Sequence, residues 1–147
     1  MEDNRLYPIT EVLASLQAEE GFSATAYRDS LGWLTIGYGR LIDERRPGGG
    51  VSEEEGLYLL RNDITRTVTE LRRAVPFFAG LDGPRCAVVI ELGFQLGLGG
   101  LLGFRRMLAA LERGDNEAAA DELLDSRYAE QVPARAARYA ERLRAVS

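Results

Sequence analysis

The chain has 147 residues, 46% hydrophobic and 28% charged, the size and balance of a single globular domain that can bury a core and carry one cleft. It has no histidine and one cysteine, Cys86, which excludes histidine triads, His-ligated zinc, a Cys-rich metal site and an intrachain disulfide and leaves carboxylate chemistry. Its 18 positive charges are all arginine against 23 acids, and the net charge of −5 speaks against nucleic acid as a partner and against a polybasic membrane anchor.

Ile9, Val12, Leu13 and Leu16 recur at helical spacing, and Gly21 is a natural stop for that helix. A β-like region follows, with a strand over residues 25–28, a turn at Asp29-Ser30-Leu31-Gly32 and a second strand over 33–37. A third short strand falls within residues 38–42, and Arg45-Arg46-Pro47-Gly48-Gly49-Gly50 reads as a loop. Ser52 with Glu55 makes a capping-box pattern, and Leu57, Leu60, Ile64, Val68 and Leu71 then stripe one long helix up to about Val75. Beyond Gly80 the pattern is helical throughout. Pro84 suits a first helical turn, and Ala87 to Leu96 is apolar nearly all round, as a central buried helix is, with Cys86 as a packed small hydrophobe. Gly97, Gly99 and Gly100 break that helix. Phe104, Leu108 and Leu111 stripe the next one, Asn116 is placed to cap another, and a last helix runs from Pro133 to the end of the chain.

The chemistry concentrates in EGFSATAYRDSLGWLTIGYGRL. Glu20 ends a helix, Asp29 opens a turn and Thr35 lies in a strand: two carboxylates and a hydroxyl, the groups that glycosidic bond hydrolysis uses. At a helix C-terminus Glu20 meets the negative end of the macrodipole, and partial burial would further disfavour its charged form, as suits a general acid. Spacing alone does not separate Glu20 from Glu19. Asp at a turn start also serves structure by accepting local N–H groups, and Thr is ordinary in a strand.

This stretch resembles the N-terminal signature of the phage-type lysozymes (glycoside hydrolase family 24, the T-even phage lysozymes and related endolysins), whose acid directly precedes a glycine, here Gly21. The likeness continues through Ser52-Glu53-Glu54-Glu55, Phe94-Gln95-Leu96-Gly97, Gly103-Phe104 to Leu108, Ser126-Arg127-Tyr128 and Gln131-Val132-Pro133-Ala134-Arg135. It implies an α+β lysozyme-like fold in one catalytic domain. A small lobe with a three-stranded antiparallel sheet would cover about 10–51, a connecting helix about 52–75, and a helical lobe about 76–147 together with the N-terminal segment. It also implies Glu20 as acid, Asp29 as the base that activates water, Thr35 as a second contact to that water, and an inverting muramidase. Arg135 would pair with Glu20, and Leu41 and Phe94 would line the sugar cleft. Three positions depart from the T-even pattern. Arg40 replaces a histidine, so that a pair with Asp63 is expected there, and Met107 and Glu122 replace a substrate-contacting serine and asparagine.

The implied partner is the peptidoglycan glycan strand, met by a monomer. A lytic transglycosylase, which uses one Glu and no water-activating carboxylate, and a non-catalytic peptidoglycan-binding module are the alternatives. No run of 18 apolar residues occurs, and MEDNRLYPIT is acidic and polar, so neither a transmembrane anchor nor a secretory signal is visible. A wall-degrading enzyme of this kind would wait in the host bacterial cytoplasm and reach the periplasm and cell wall through, for example, holin-made lesions. Arg135, Arg138, Arg142 and Arg144 make the final helix basic, either as a substrate-facing surface or as a solvated face. The Gly97–Gly103 stretch reads as a mobile lip or as helix punctuation.

Overall fold

The computed structural model describes residues 9–146. Among them it contains seven α-helices and a three-stranded antiparallel sheet, the expected α+β class. They gather into two compact units, one ending at Leu57 and the other beginning at Tyr58. The acidic, polar stretch at the start of the chain lies, apart from Ile9 and Thr10, outside the described residues.

In the first unit, helix α1 (Ile9–Glu20) stops where Gly21 turns left-handed (φ 68°), and the Gly21 N–H bonds the Gln17 carbonyl at 3.2 Å. Strands β1 (Ser23–Arg28), β2 (Leu34–Gly37) and β3 (Arg40–Leu41) pair in that order. The strand expectations hold. The third is the shortest because only Ile36↔Arg40 and Thr35↔Leu41 pair before the chain leaves the sheet. Tyr27 opposes Thr35 across the other ladder. Directly paired residues project to the same face, so Tyr27, Thr35 and Leu41 form one row.

Helix α2 (Glu53–Ala74) begins in the first unit and continues into the second. The capping box is present in both directions: Glu55 N–H donates to Ser52 Oγ and Ser52 N–H to Glu55 Oε1, each at 3.1 Å. Of the expected stripe Leu71 is buried and Val68 half-buried, while Leu57, Leu60 and Ile64 remain exposed.

The second unit stacks α3 (Gly83–Leu102), α4 (Arg105–Glu112), α5 (Asn116–Leu124), α6 (Arg127–Gln131) and α7 (Pro133–Arg144) around Leu71, Val88, Val89, Leu92, Leu101, Leu123 and Leu143. Helix α3 is long and apolar enough to cross a bilayer by length and composition, and its Val88, Val89 and Leu92 are fully buried in this core. Cys86 packs against the same core as a small hydrophobe, and burial pushes its thiol pKa up. Three expectations change. Only Gly97 breaks α3 (φ 73°, ψ 168°), and residues 98–102 resume as helix, so the anticipated lip is a kinked helix. A Cβ at Gly100 would meet the Leu96 Cβ at 2.7 Å, which is why a helical position there holds glycine. Helix α5 is capped by Asp115, whose Oδ1 accepts from Ala118 N–H at 3.0 Å, leaving Asn116 as the first helical residue. Helix α6, too short for a periodic pattern, is started by Ser126, whose Oγ accepts from Ala129 N–H at 3.2 Å.

Candidate active site

Glu20, Asp29 and Thr35 all fall in the first unit. Glu20 is exposed at the end of α1. The partial burial expected for it is absent because α1 buries none of its residues. Its carboxylate instead lies against the β2–β3 turn: a Cβ on Gly39 would stand 2.9 Å from Oε2 and 3.1 Å from Cδ. With φ at 78°, both the space and the backbone at position 39 call for glycine. The same turn is tied to the end of α1 by Gln17 Nε2 donating to the Tyr38 hydroxyl at 3.4 Å, and by the Phe22 ring 5.3 Å from that of Tyr38. Glu20 is therefore placed by two glycine-dependent features, the stop at Gly21 and the close approach at Gly39.

Asp29 is half-buried. Its Oδ1 accepts from Leu31 N–H and Trp33 N–H, both at 2.9 Å, and its own N–H donates to the Trp33 carbonyl at 2.9 Å. The structural role of a turn Asp is thus real, and it occupies a single oxygen. Among the described residues nothing bonds Oδ2. Thr35 is 4% exposed, and its hydroxyl donates to the Trp33 carbonyl at 3.0 Å. Toward a third group that hydroxyl can only accept. Leu41, half-buried, shares the Thr35 row of the sheet.

Sequence reasoning passed over what stands behind this turn. Asp43 is 4% exposed and grips Arg45 with both oxygens, Oδ1 to Nε at 2.7 Å and Oδ2 to Nη2 at 2.6 Å. The guanidinium holds the Asp43 carboxyl well below the usual carboxylate range, helped by the Leu34 and Arg45 N–H groups. The signal was present in Asp43-Glu44-Arg45-Arg46, which reads as loop polarity until the fold buries its first residue. Within the first unit Arg40 meets Glu55 at 2.7 Å, held there by the capping box, and within the second Asp63 is bridged by Arg66 one helical turn on.

In the second unit, Phe94 and Arg135 line a cavity of about 600 Å³ with Leu60, Ile64, Gln95 and Tyr139. Gln95 has a role there that its sequence motif does not reveal. Its Oε1 accepts from Arg135 Nη1 at 3.0 Å and from the Tyr128 hydroxyl at 2.9 Å, and its Nε2 donates to the Tyr139 hydroxyl at 2.6 Å. Met107 and Glu122 line a separate cavity of about 330 Å³ with Arg105, Arg106 and Ser126. Met107 is 1% exposed because it lies on the buried face of α4, so it offers wall and core rather than an open contact, whereas Glu122 is half-buried. Two of the four arginines of the basic final helix are in ion pairs, Arg142 with Glu91 and Arg144 with Glu117 and Asp121. Among the described residues no three metal-ligating side chains come together.

The family model described as phage lysozyme matches residues 17–141. The pre-baseplate central spike protein Gp5 of Enterobacteria phage T4 is 26% identical over 89% of this chain, which spans 27% of that protein. A Dictyostelium discoideum protein described as "Probable T4-type lysozyme 1" is 25% identical over 88% of this chain and 91% of its own length. With the family match running over most of its length, from before the helix-ending Glu20 through the turn Asp29 and strand Thr35 to the final helix, the chain belongs to the phage lysozyme family.

Proposed function

We propose that the protein is a muramidase that hydrolyses the β-1,4 bond between N-acetylmuramic acid and N-acetylglucosamine in peptidoglycan, with inversion at the anomeric carbon. The observation that supports this reading is the bonding around Trp33: Asp29 holds the turn with one oxygen, the other has no partner among the described residues, and the Thr35 hydroxyl, bonded to the Trp33 carbonyl, keeps its accepting capacity. Glu20 donates its proton to the glycosidic oxygen as the bond to the anomeric carbon breaks. Water attacks from the opposite face and gives its proton to Asp29, while Thr35 fixes that water's orientation. Neither step needs a cofactor.

The natural context is bacterial lysis by an endolysin made in the host cytoplasm and released to the wall. The match to a stretch of the T4 spike protein favours a second route, delivery as one domain of a tail component; a neighbouring holin or tail operon separates the two. The test is clearing of permeabilised Gram-negative cells with mass spectrometry of the products. Reducing N-acetylmuramic acid ends, formed first as the α-anomer, are expected. Products with 1,6-anhydro ends would show a lytic transglycosylase, and binding without release of fragments would show a non-catalytic module.

A further inference from the structure

The Asp29–Thr35 pair has one shared support, Trp33. Its N–H bonds the Asp29 carboxylate, and its carbonyl accepts both the Asp29 N–H and the Thr35 hydroxyl. Whatever fixes residues 33–34 therefore fixes the distance between the two proposed water-holding groups. Two features converge there. Asp43 Oδ2 accepts the Leu34 N–H at 3.1 Å, reaching across from beyond β3, and Asp43 Oδ1 accepts the Arg45 N–H at 3.1 Å. The guanidinium that Asp43 holds lies over the Trp33 ring, 4.7 Å from its centroid, with Arg46 at 5.4 Å. Arg45 Nη2 and Arg28 Nη1 both donate to the Gly32 carbonyl, at 3.4 and 2.9 Å. The segment is thus gripped at its backbone by a buried carboxylate and at its indole by the partner of that carboxylate.

We propose that Asp43, acting through its two-pronged pair with Arg45, is a positioning residue for Asp29 and Thr35. A buried carboxylate of this kind is a costly way to close a loop, since a charge out of water is stable only while fully paired. A planar guanidinium is the one side chain that can satisfy both oxygens and cover a ring at once. Loss of either member leaves Trp33 free to rock, and with it the N–H and carbonyl that orient the two site residues. The inference rests on the muramidase reading for its effect on turnover, and on geometry alone for its effect on the turn.

Both parts are measurable in the intact chain with Asp43→Asn and Arg45→Gln, the second altering a largely exposed side chain that the fold can lose. Hydrogen exchange at the Leu31 and Trp33 amides should accelerate by about tenfold or more, as local opening of the turn becomes easier. The emission of Trp33, the one tryptophan of the chain, should shift in both variants. On a soluble uncrosslinked glycan strand, kcat should fall roughly 10–100-fold, the scale of a misplaced catalytic group, with KM within about twofold. Glu44→Gln, beside the pair, should change none of these. Unchanged amide exchange and unchanged kcat in folded Asp43→Asn and Arg45→Gln would overturn the proposal, as would a KM rise that accounts for the whole loss. If the unaltered chain fails to cleave glycan strands, the muramidase reading falls, and the amide exchange still decides whether Asp43 holds the turn.

Discussion

Replacing Gly39 by alanine tests how Glu20 is placed. The new methyl group would stand 2.9 Å from Glu20 Oε2, and reaching ordinary contact at 3.4 Å or more requires a displacement of about 0.5 Å. The atom in the way is the end of a flexible side chain, so the carboxylate moves and the fold survives. Productive geometry tolerates about half an ångström, and a full ångström costs about 10²-fold, so kcat should fall about tenfold. The left-handed backbone (φ 78°) adds roughly 1–2 kcal/mol of strain for a residue with a Cβ, a loss of about 2–8 °C in Tm at this chain length. Gly37 supplies the control. It has φ 67°, and a methyl group there would meet nothing within 4 Å, so Gly37→Ala should lose similar stability and keep kcat within about twofold. Rates on soluble glycan strands, with melting curves for both variants, decide the matter. Equal losses of turnover in the two variants, or full activity in Gly39→Ala, would refute the placement of the acid over the Gly39 turn.

Glu20→Gln should remove roughly 10²–10⁴-fold of lytic activity with the fold intact, while Glu19→Gln stays near the parent; the reverse result would move the acid by one residue. Asp29→Asn should be nearly as damaging yet fold normally, because asparagine keeps an oxygen for the Leu31 and Trp33 N–H groups, and a melting point far below the parent would show that the charge itself holds the turn. Asp43 has its folded pKa held below its unfolded value, so its stabilisation is fully present above about pH 4 and drains away as pH falls toward its lowered folded pKa. Melting curves between pH 2 and 7 should lose that acid-side slope in Asp43→Asn. Lysis should persist from low to physiological ionic strength, because net charge is −5 and Arg142 and Arg144 are already paired within their unit; a steep loss over that range would show that a local arginine patch governs docking.

Patterns set by near neighbours were legible in the sequence alone. The stop at Gly21, the Asp29 turn, the Ser52–Glu55 capping box and the apolar run of α3 each depend on backbone geometry or periodicity within a few residues, and each appears where the sequence puts it. The catalytic candidates were legible as a set only through the family's spacing, since a turn aspartate and a strand threonine are ordinary by themselves. Tertiary structure decided what depends on which surfaces meet. It left Glu20 exposed, brought Gly39 against its carboxylate, and put Met107 into the core of the helical unit. It also turned two residues of ordinary appearance into hubs, Asp43 between Leu34 and Arg45 and Gln95 among Tyr128, Tyr139 and Arg135. Gln95's partners lie on other helices, and Asp43, though Arg45 is two residues away, reaches the Leu34 N–H from beyond β3; what buries a polar group and completes its bonding is set by such distant partners rather than by the chain nearby.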